Sequence, residues 1–418
     1  MQQPTRTQSS LQFRSIENPI PEHFDLLQSD PSSEWQFFIL ENLSFDEDLP
    51  SRQSFAGFLH SLLVDGFRFA YLLKASNRGL SLYFGVGKDA NTATSIEVED
   101  VANDILRKSF QGHFQGSSLK RLSSEETEKL KADVMQNQVH SMVTGLPDVG
   151  GDTEDFPGID RLIHSMKGIS FTYSIVFEPC NAAELKSKRE FLYRYHDELY
   201  TMEKHSIQQN LSQSHSENRS ASKTKTATET QTKEKESKAK SDAYQEQTGR
   251  TEQAGKSITT GLELFNKKVA DERSQIELLL ERLDTGIFKG MFKTSMWLSV
   301  KSKADALQLE NMVKALFQGE GQQLKIPLTV HRVPSSQIPI FSLNIAGFRL
   351  PSIQIAQKNI ERDSICYSLA ATQSNLSFAT YMTGKELSII SGLPTKEVTG
   401  IPMRKGVDFV VCNTDSQA

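Results

Sequence analysis

Apolar residues near the start of the chain switch between helix-like and strand-like spacing. The segment Phe55–Val64 has the pattern of a helix, and the apolar runs Phe67–Leu73 and Leu80–Val86 flank the turn Asn77–Gly79. Two β-rich runs joined by a short Asn/Gly turn predict a β-hairpin. Apolar residues then recur at helical spacing between Val98 and Leu106, which predicts a further helix.

An internal repeat occupies the middle of the chain. The triplet Asp160–Leu162 and the apolar run Phe171–Phe177 are echoed, at one common offset, by Glu281–Leu283 and Phe292–Leu298. Each copy has the pattern of a loop or helix end, a strand and a long helix. The repeat therefore predicts two related half-units of one α+β layer structure.

The long helix of each copy has a one-sided apolar stripe. These stripes consist of Leu185, Leu192, Tyr195 and Leu199 in the first copy and of Leu309, Met312, Val313, Leu316 and Phe317 in the second. A one-sided stripe is typical of a helix that covers a sheet. A groove for a partner protein is the alternative interpretation.

Residues 212–260 separate the two copies and are almost entirely polar. Such a segment cannot bury enough apolar surface to offset the entropy of ordering it, which predicts a disordered insertion. Its flanks, residues 183–209 and 261–283, are predicted to be helices that pair and carry the insertion at their tip. A plain flexible linker between two independent domains is the alternative.

The sequence thus predicts an α+β protein with a β-hairpin, two strand-helix half-units, a long helical pair and a β-rich C-terminal part. Its parts are an extended N-terminal arm pinned by Trp35–Leu40 (1–50), the first half-unit (51–211), the polar insertion (212–260), the second half-unit (261–324) and a β-rich segment with a C-terminal lead-in (325–418). Within the last part, Ile326–Val333 and Ile338–Ile345 are predicted to be edge strands or barrel pieces, because their prolines make poor central strands. A further β-like run covers Val407–Val411.

Composition narrows the class of protein. The 418 residues have a net charge of −5, 37% hydrophobic residues and a mean hydropathy of −0.43, which predicts a soluble chain of two or three domains. No run approaches the roughly eighteen apolar residues of a membrane span, and no secretion signal is evident, so a cytoplasmic location is expected. The acidic balance gives no field for sequence-independent DNA binding, so any DNA contact would be local or made by a partner.

Cys180, Cys366 and Cys412 are too dispersed for a metal site and are expected to be reduced thiols.

The motifs of common enzymes are missing. A phosphate-binding loop needs G-x-x-x-x-G-K-[ST], but the nearest string, Gly249–Ser257, has one residue too many between its glycines and lies in the polar tract. The string Gly85–Asp89 lacks the hydroxyl residue, and we interpret it as the end of a hairpin. We therefore predict that the chain is not an enzyme and has no catalytic, cofactor-binding or metal-binding residues.

A capping box marks the C-terminal lead-in. Thr383-Gly-Lys-Glu386 has the S/T-x-x-E pattern that begins a helix, and Gly392 and Pro394 end it. The apolar face of this helix consists of Leu387, Ile389, Ile390 and Leu393. We predict that these four residues bind a partner, since at least part of the face is expected to lack a covering domain.

The string Met382–Ile401 resembles the segment that precedes the nucleotide-binding domain in HerA/FtsK-type ATPases, particularly those related to type IV secretion ATPases. Asp160–Gly168 with Phe171–Pro179, and Gly286–Gly290 with the strand and helix that follow, are similar to the amino-terminal module of these proteins. The resemblance covers roughly Arg52 to the C-terminus, and the capping-box string is its most specific part. It implies a module that sets ring assembly, usually of a hexamer, and docking for a motor that pulls nucleic acid or protein.

The chain departs from that family in lacking the phosphate loop, the magnesium-binding acidic strand and an arginine finger, so no catalytic residue is carried over. We therefore expect a non-catalytic assembly or docking module, whose partners are a P-loop ATPase domain or chain and further copies of itself. The chain would be either a fragment or half of a split gene, or a stand-alone adaptor. The rival functions are a nucleic-acid-binding protein that acts alone and a structural protein with no motor partner.

Overall fold

The computed structural model describes residues 24–28, 33–45, 51–76, 79–89, 92, 94–148, 157–200, 267–319, 324, 326–354, 371–372, 375–396 and 398–405. The chain forms two compact units. Unit 1 comprises Met1–Lys186 and Arg282–Ala418, and unit 2 comprises Ser187–Glu281.

Strands and helices alternate irregularly along the chain. The strands are β1 (Ser33–Phe45), β2 (Arg68–Ser76), β3 (Gly79–Asp89), β4 (Ser118–Arg121), β5 (Val139–Thr144), β6 (Phe171–Pro179), β7 (Met291–Val300), β8 (Thr329–Arg332), β9 (Ser352–Gln354), β10 (Ala371–Thr372), β11 (Asn375–Ser377), β12 (Thr380–Thr383) and β13 (Met403–Lys405). The helices are α1 (Ser51–Ser61), α2 (Val98–Asp100), which continues through a π-helical stretch (Val101–Arg107) into α3 (Lys108–His113), then α4 (Ser124–Met135), α5 (Gly158–Ser165), α6 (residues 182–200), α7 (Lys267–Lys289), α8 (Lys303–Phe317), α9 (Ile338–Ala346) and α10 (Gly384–Ile390).

The main sheet of unit 1 has the strand order β13-β1-β3-β2-β6-β7-β5-β8, with β4 also paired to β1 and β12 to β7. Its strand pairs are antiparallel, apart from the parallel pair of β1 and β13. A small second sheet has the order β10-β11-β9. The α+β class predicted from the sequence is confirmed.

The predicted hairpin is confirmed as β2 and β3, which pair from Arg68↔Gly87 to Ser76↔Gly79. The string Gly85–Asp89 is the C-terminal end of β3, and Gly87 is the last residue of β3 that pairs with β2, so the interpretation as the end of a hairpin is confirmed. Both of its glycines make room for aromatic rings of β1, since an added Cβ would lie 2.3 Å from Phe37 and 2.4 Å from Trp35. The aromatic cluster predicted to pin an arm is thus part of a paired strand of the sheet.

The two repeat strands are neighbours. β6 and β7 pair antiparallel from Phe171↔Val300 to Pro179↔Phe292, and the register places Ile175 opposite Met296. These two residues occupy equivalent positions in the two copies of the repeat. A local pseudo-two-fold axis therefore passes between them, and each copy contributes its strand to the middle of the sheet.

The sheet buries both of its faces. One face holds Trp35, Phe37 and Trp297 under Phe341 and Phe348, with ring centroids 5.0 to 6.2 Å apart. The backbone of Phe348 has a φ of 44°, a left-handed conformation that costs energy in a residue with a side chain. The other face packs under α1 and α8 through Tyr71 and Tyr173.

The segment Ile338–Ile345, predicted to be a strand, is the helix α9, and the strand prediction is wrong. Pro339 lies in the first turn, where a missing N–H costs no helical hydrogen bond, so the proline favours a helix start here. The neighbouring prediction holds, since β8 within Ile326–Val333 is an edge strand of the main sheet.

Unit 2 contains the helical residues 187–200 of α6 and 267–281 of α7. The two helical segments are in contact, since the Tyr195 hydroxyl on one donates to the Glu272 carboxylate on the other at 2.8 Å. The predicted polar insertion 212–260 and the run Val407–Val411 lie outside the described residues. Among the helices that the structure describes, none is long and apolar enough to cross a membrane.

Candidate functional site

The lead-in segment, residues 380–405, contains the capping box that the sequence predicts. It consists of β12, α10, a connecting loop and β13. β12 pairs antiparallel with β7, and β13 pairs with β1. The lead-in segment therefore touches the sheet at two separate places.

The predicted capping box is confirmed at the start of α10. The Thr383 hydroxyl accepts from the Glu386 amide at 3.3 Å, and the Thr383 amide donates to the Glu386 carboxylate at 2.7 Å. The guanidinium of Arg282, on α7, donates to both oxygens of the same carboxylate at 2.6 and 2.8 Å. Burial raises the pKa of Glu386, but the ion pair with Arg282 and the bonds from Thr383 outweigh it and lower the pKa below its usual value.

Two tyrosines from the centre of the sheet hold the other end of α10. Tyr173 of β6 donates its hydroxyl to the main-chain oxygen of Ile390 at 2.8 Å, and Tyr71 of β2 donates to that of Gly392 at 2.9 Å. Burial raises the pKa of both phenols. Each hydroxyl stays protonated. Tyr173 satisfies a carbonyl that the end of the helix leaves free, and Tyr71 binds a carbonyl of the loop that follows.

The predicted partner-binding face is covered within this chain. Leu387 and Ile390 are 0% exposed, Ile389 and Leu393 are 7% exposed, and α10 packs against α1. The expectation that part of this face lacks a cover is therefore wrong. These four side chains fix α10 to the sheet module, and any effect they have on a partner would be indirect.

The loop after α10 is clamped by Asp160 of α5. The Asp160 carboxylate accepts from the Thr395 amide at 3.0 Å, from the Thr395 hydroxyl at 2.6 Å and from the Lys396 amide at 3.3 Å. Asp160 is 6% exposed. Beside it lies a cavity of about 20 Å³, which suits one water molecule and is far too small for a nucleotide.

A close backbone approach fastens the loop further along. The Leu80 amide donates to the Thr399 carbonyl at 2.8 Å. An added Cβ on Gly400 would lie 2.3 Å from the Leu80 carbonyl oxygen, and one on Gly79 would lie 2.7 Å from that of Thr399. An open depression of about 410 Å³ is lined by Val398, Thr399, Gly400, Ile401 and Pro402, and none of these five residues has an ionisable side chain. Gly79 and Leu80, the first residues of β3, are thus in direct contact with the lead-in segment.

The repeat motif supplies two of these anchors, which the sequence analysis did not assign. Asp160 opens the triplet of the first copy, and Arg282 is the second residue of the triplet in the second copy. Both bind the lead-in segment. The signal that could have identified them is the pair of charged residues inside the repeat, next to its apolar positions.

A second group of buried polar residues lies on β5 and its neighbours. On one face, His140 bonds to Ser299 at 2.8 Å. On the other, the Ser141 hydroxyl donates to Glu310, which also binds Arg332. Successive residues of a strand point to opposite faces, so the imidazole and the hydroxyl cannot act together as base and nucleophile.

The remaining chemistry is sparse. Within the ranges that the structure describes, no cluster of three or more His, Cys, Asp or Glu residues is placed to hold a metal ion. Cys180 is a buried cysteine, while Cys366, Cys412 and Gly249–Ser257 lie outside those ranges. A scan against protein-family models and a search of curated proteins found no match to this chain.

Proposed function

We propose that this chain is a non-catalytic assembly and docking module of a HerA/FtsK-like ATPase that translocates DNA or another substrate. The proposal starts from the resemblance of Met382–Ile401 to the segment before the motor domain in that family. In this role the sheet of unit 1 is a rigid platform, and the lead-in segment sets the position of the motor relative to it.

The observation that carries the proposal is the anchoring of the lead-in segment at both ends of α10, in the described part of the loop and at β13. Arg282 holds the start of α10, Tyr173 and Tyr71 hold its end, and Asp160 holds the loop. β13 then joins the sheet edge. These contacts hold the connector in one position on the sheet, as the docking role requires.

The non-catalytic part of the proposal is supported by four buried polar groups that take part in structural bonds. Glu386 is neutralised by Arg282, and Glu310 by Arg332. The buried histidines His140 and His331 have their pKa lowered to about 4 by burial, and each bonds a hydroxyl of a neighbouring strand. Such groups stabilise a fold and are poorly placed to meet a substrate. Further copies of the chain and a P-loop ATPase domain or chain are its proposed partners.

Affinity purification from the native cells tests the docking role. A P-loop ATPase of the HerA/FtsK type should copurify with the wild-type chain. Asp160→Ala, which removes the clamp on the loop, should reduce its recovery several-fold. The matched control is Asp104→Ala, which removes an exposed carboxylate whose partner is Lys108 on the same helical stretch. Recovery of the chain without any such ATPase, or equal recovery with Asp160→Ala, would refute the docking role.

An ATPase assay tests the non-catalytic role separately. The purified chain should hydrolyse ATP no faster than a blank. Turnover that disappears in Lys256→Ala would mean that Gly249–Ser257 binds phosphate after all, and the chain would then be an enzyme. Tight binding of DNA by a chain that purifies alone would instead favour the nucleic-acid-binding alternative.

A further inference from the structure

The two helices that lead into unit 2 are both fastened, at their bases, to the lead-in segment. The boundary residues of unit 1 are Lys186 on α6 and Arg282 on α7, and both helices continue through the boundary without a break. Glu184 lies two residues before the first boundary, and Arg282 is itself the second. Both residues bind Tyr381 of β12.

These contacts form a junction of four residues: Glu184, Arg282, Tyr381 and Glu386. The Tyr381 hydroxyl donates to Glu184 at 2.6 Å, while the main-chain oxygen of Tyr381 accepts from the Arg282 guanidinium. Arg282 also forms the two-pronged pair with Glu386. Tyr381 of β12 thus donates one bond to the base of α6 and accepts one from the base of α7, and Glu386 in the first turn of α10 forms the ion pair.

The junction is mostly removed from water. The side chains of Arg282 and Glu386 are 14% and 22% exposed, and that of Glu184 is 24% exposed. Glu184 also pairs with Lys293 at 2.9 Å, which ties it to β7. Burial together with the hydrogen bond to Glu184 raises the pKa of Tyr381, so its hydroxyl remains a donor. A planar guanidinium that binds both oxygens of a carboxylate tolerates little change of angle.

Glu386 has two tasks that cannot be separated. Its carboxylate completes the capping box of α10 with Thr383 and also receives Arg282. If α7 moves at Arg282, the carboxylate loses its counter-charge while it remains largely buried, and the first turn of α10 is destabilised with it. Movement at the helix bases must therefore reach the lead-in segment.

We propose that the junction of Glu184, Arg282, Tyr381 and Glu386 couples the packing of unit 2 to the stability of α10, so that a change in the packing of unit 2 alters the lead-in segment. This inference deepens the proposed function and rests on it for the biological use of the coupling. The coupling itself is a property of the isolated chain. The coupling runs from the bases of α6 and α7 to the carboxylate of Glu386.

Hydrogen exchange of the full-length chain tests the coupling. Leu192→Ala removes a buried side chain of unit 2 and weakens its packing. In the wild-type background this substitution should speed exchange of the amides of residues 384–391 by about 5- to 150-fold, the usual range of coupling between two sites. In the Arg282→Met, Tyr381→Phe background, exchange there should be faster from the outset, and Leu192→Ala should add little.

The matched control is Arg332→Met, which removes another two-pronged arginine–glutamate pair of unit 1 at a different place. In that background Leu192→Ala should retain its full effect on residues 384–391. Arg282→Lys, which keeps the charge but loses the fork, should give an intermediate effect and serves as the test if the double variant does not fold.

Two results would overturn the coupling. Exchange at residues 384–391 that does not respond to Leu192→Ala would show that unit 2 and α10 are independent. An equal response with and without the junction would show that the coupling passes elsewhere. Because this experiment needs no motor, coupling without a copurifying ATPase would refute the proposed function and leave the junction intact.

Discussion

Lowering the pH from 7 to 5 should destabilise the fold through His140 and His331. His140 is 0% exposed and His331 9% exposed, and burial is the main cause that lowers the pKa of each from 6.5 to about 4. Each folded histidine is therefore neutral where the unfolded one is already charged. The free energy of unfolding has its full value well above pH 6.5. It decreases as the pH drops towards 4, because only the unfolded state takes up protons in that window.

The magnitude follows from the two pKa values. Between pH 7 and pH 5, one histidine with a pKa of 6.5 when unfolded and about 4 when folded costs about 2 kcal/mol of unfolding free energy. The two histidines together cost about 4 kcal/mol, a large fraction of the stability of an ordinary domain. The carboxylate of Glu386, whose pKa is lowered, titrates below this window.

Urea unfolding followed by tryptophan fluorescence measures the effect, since Trp35 and Trp297 lie in the core of the same sheet. His140→Phe should lose the bond to Ser299 at every pH but reduce the loss between pH 7 and pH 5 by about 2 kcal/mol. His164→Gln, at an exposed position of α5, is the control and should show the wild-type loss. An unchanged loss in His140→Phe, or greater stability of the wild type at pH 5, would refute the reasoning.

Three further substitutions test the anchoring of the lead-in segment by denaturant titration. Leu387→Ala should lower the free energy of unfolding by about 2–5 kcal/mol, because it leaves a cavity at a fully buried position. The control Leu307→Ala, at a side chain 55% exposed, should change it by no more than about 0.5 kcal/mol. Equal effects of the two substitutions would contradict the packing described. Gly400→Ala should destabilise by more than about 1 kcal/mol, because its φ is 107° and an added Cβ would meet the Leu80 carbonyl, while Gly112→Ala, in an open helical position, should stabilise by about 0.5–1 kcal/mol. Tyr173→Phe should cost about 1–2 kcal/mol by leaving a buried carbonyl of α10 without its donor, and a neutral result would mean that this bond is not formed.

Local signals in the sequence predicted local structure well. The Asn/Gly turn specified the β2–β3 hairpin, and the S/T-x-x-E pattern specified the start of α10, because both depend on residues within a few positions of each other. The repeat indicated that β6 and β7 belong together, although not that they would be direct neighbours. Ile338–Ile345 was misassigned because its apolar run suits either a strand or a buried helix, and its proline is compatible with an edge strand as well as with a first helical turn.

The anchors of the lead-in segment could not be predicted in the same way. Asp160 and Thr395 are 235 positions apart, and Arg282 and Glu386 are 104 apart. No periodicity links such pairs, since the partner of a buried charge depends on which elements the fold brings together. The burial of Leu387 and Ile390 was missed for the same reason, because α1, which covers α10, lies more than three hundred residues earlier in the sequence.

The pairing of β1 with β13 has a consequence for how the chain folds. Leu43 lies beside Met403, and Leu26 is bridged to Ile353, so segments made early in synthesis wait for segments made late. The Leu43 amide donates to the Pro402 carbonyl at 3.0 Å, so this bond cannot form until the C-terminal residues have left the ribosome. During that interval an open strand edge is exposed to other chains, which is a recognised route to aggregation. We therefore expect the yield of native protein to depend on chaperones that shield nascent chains, and versions truncated before Met403 to aggregate even though most of the sheet is complete.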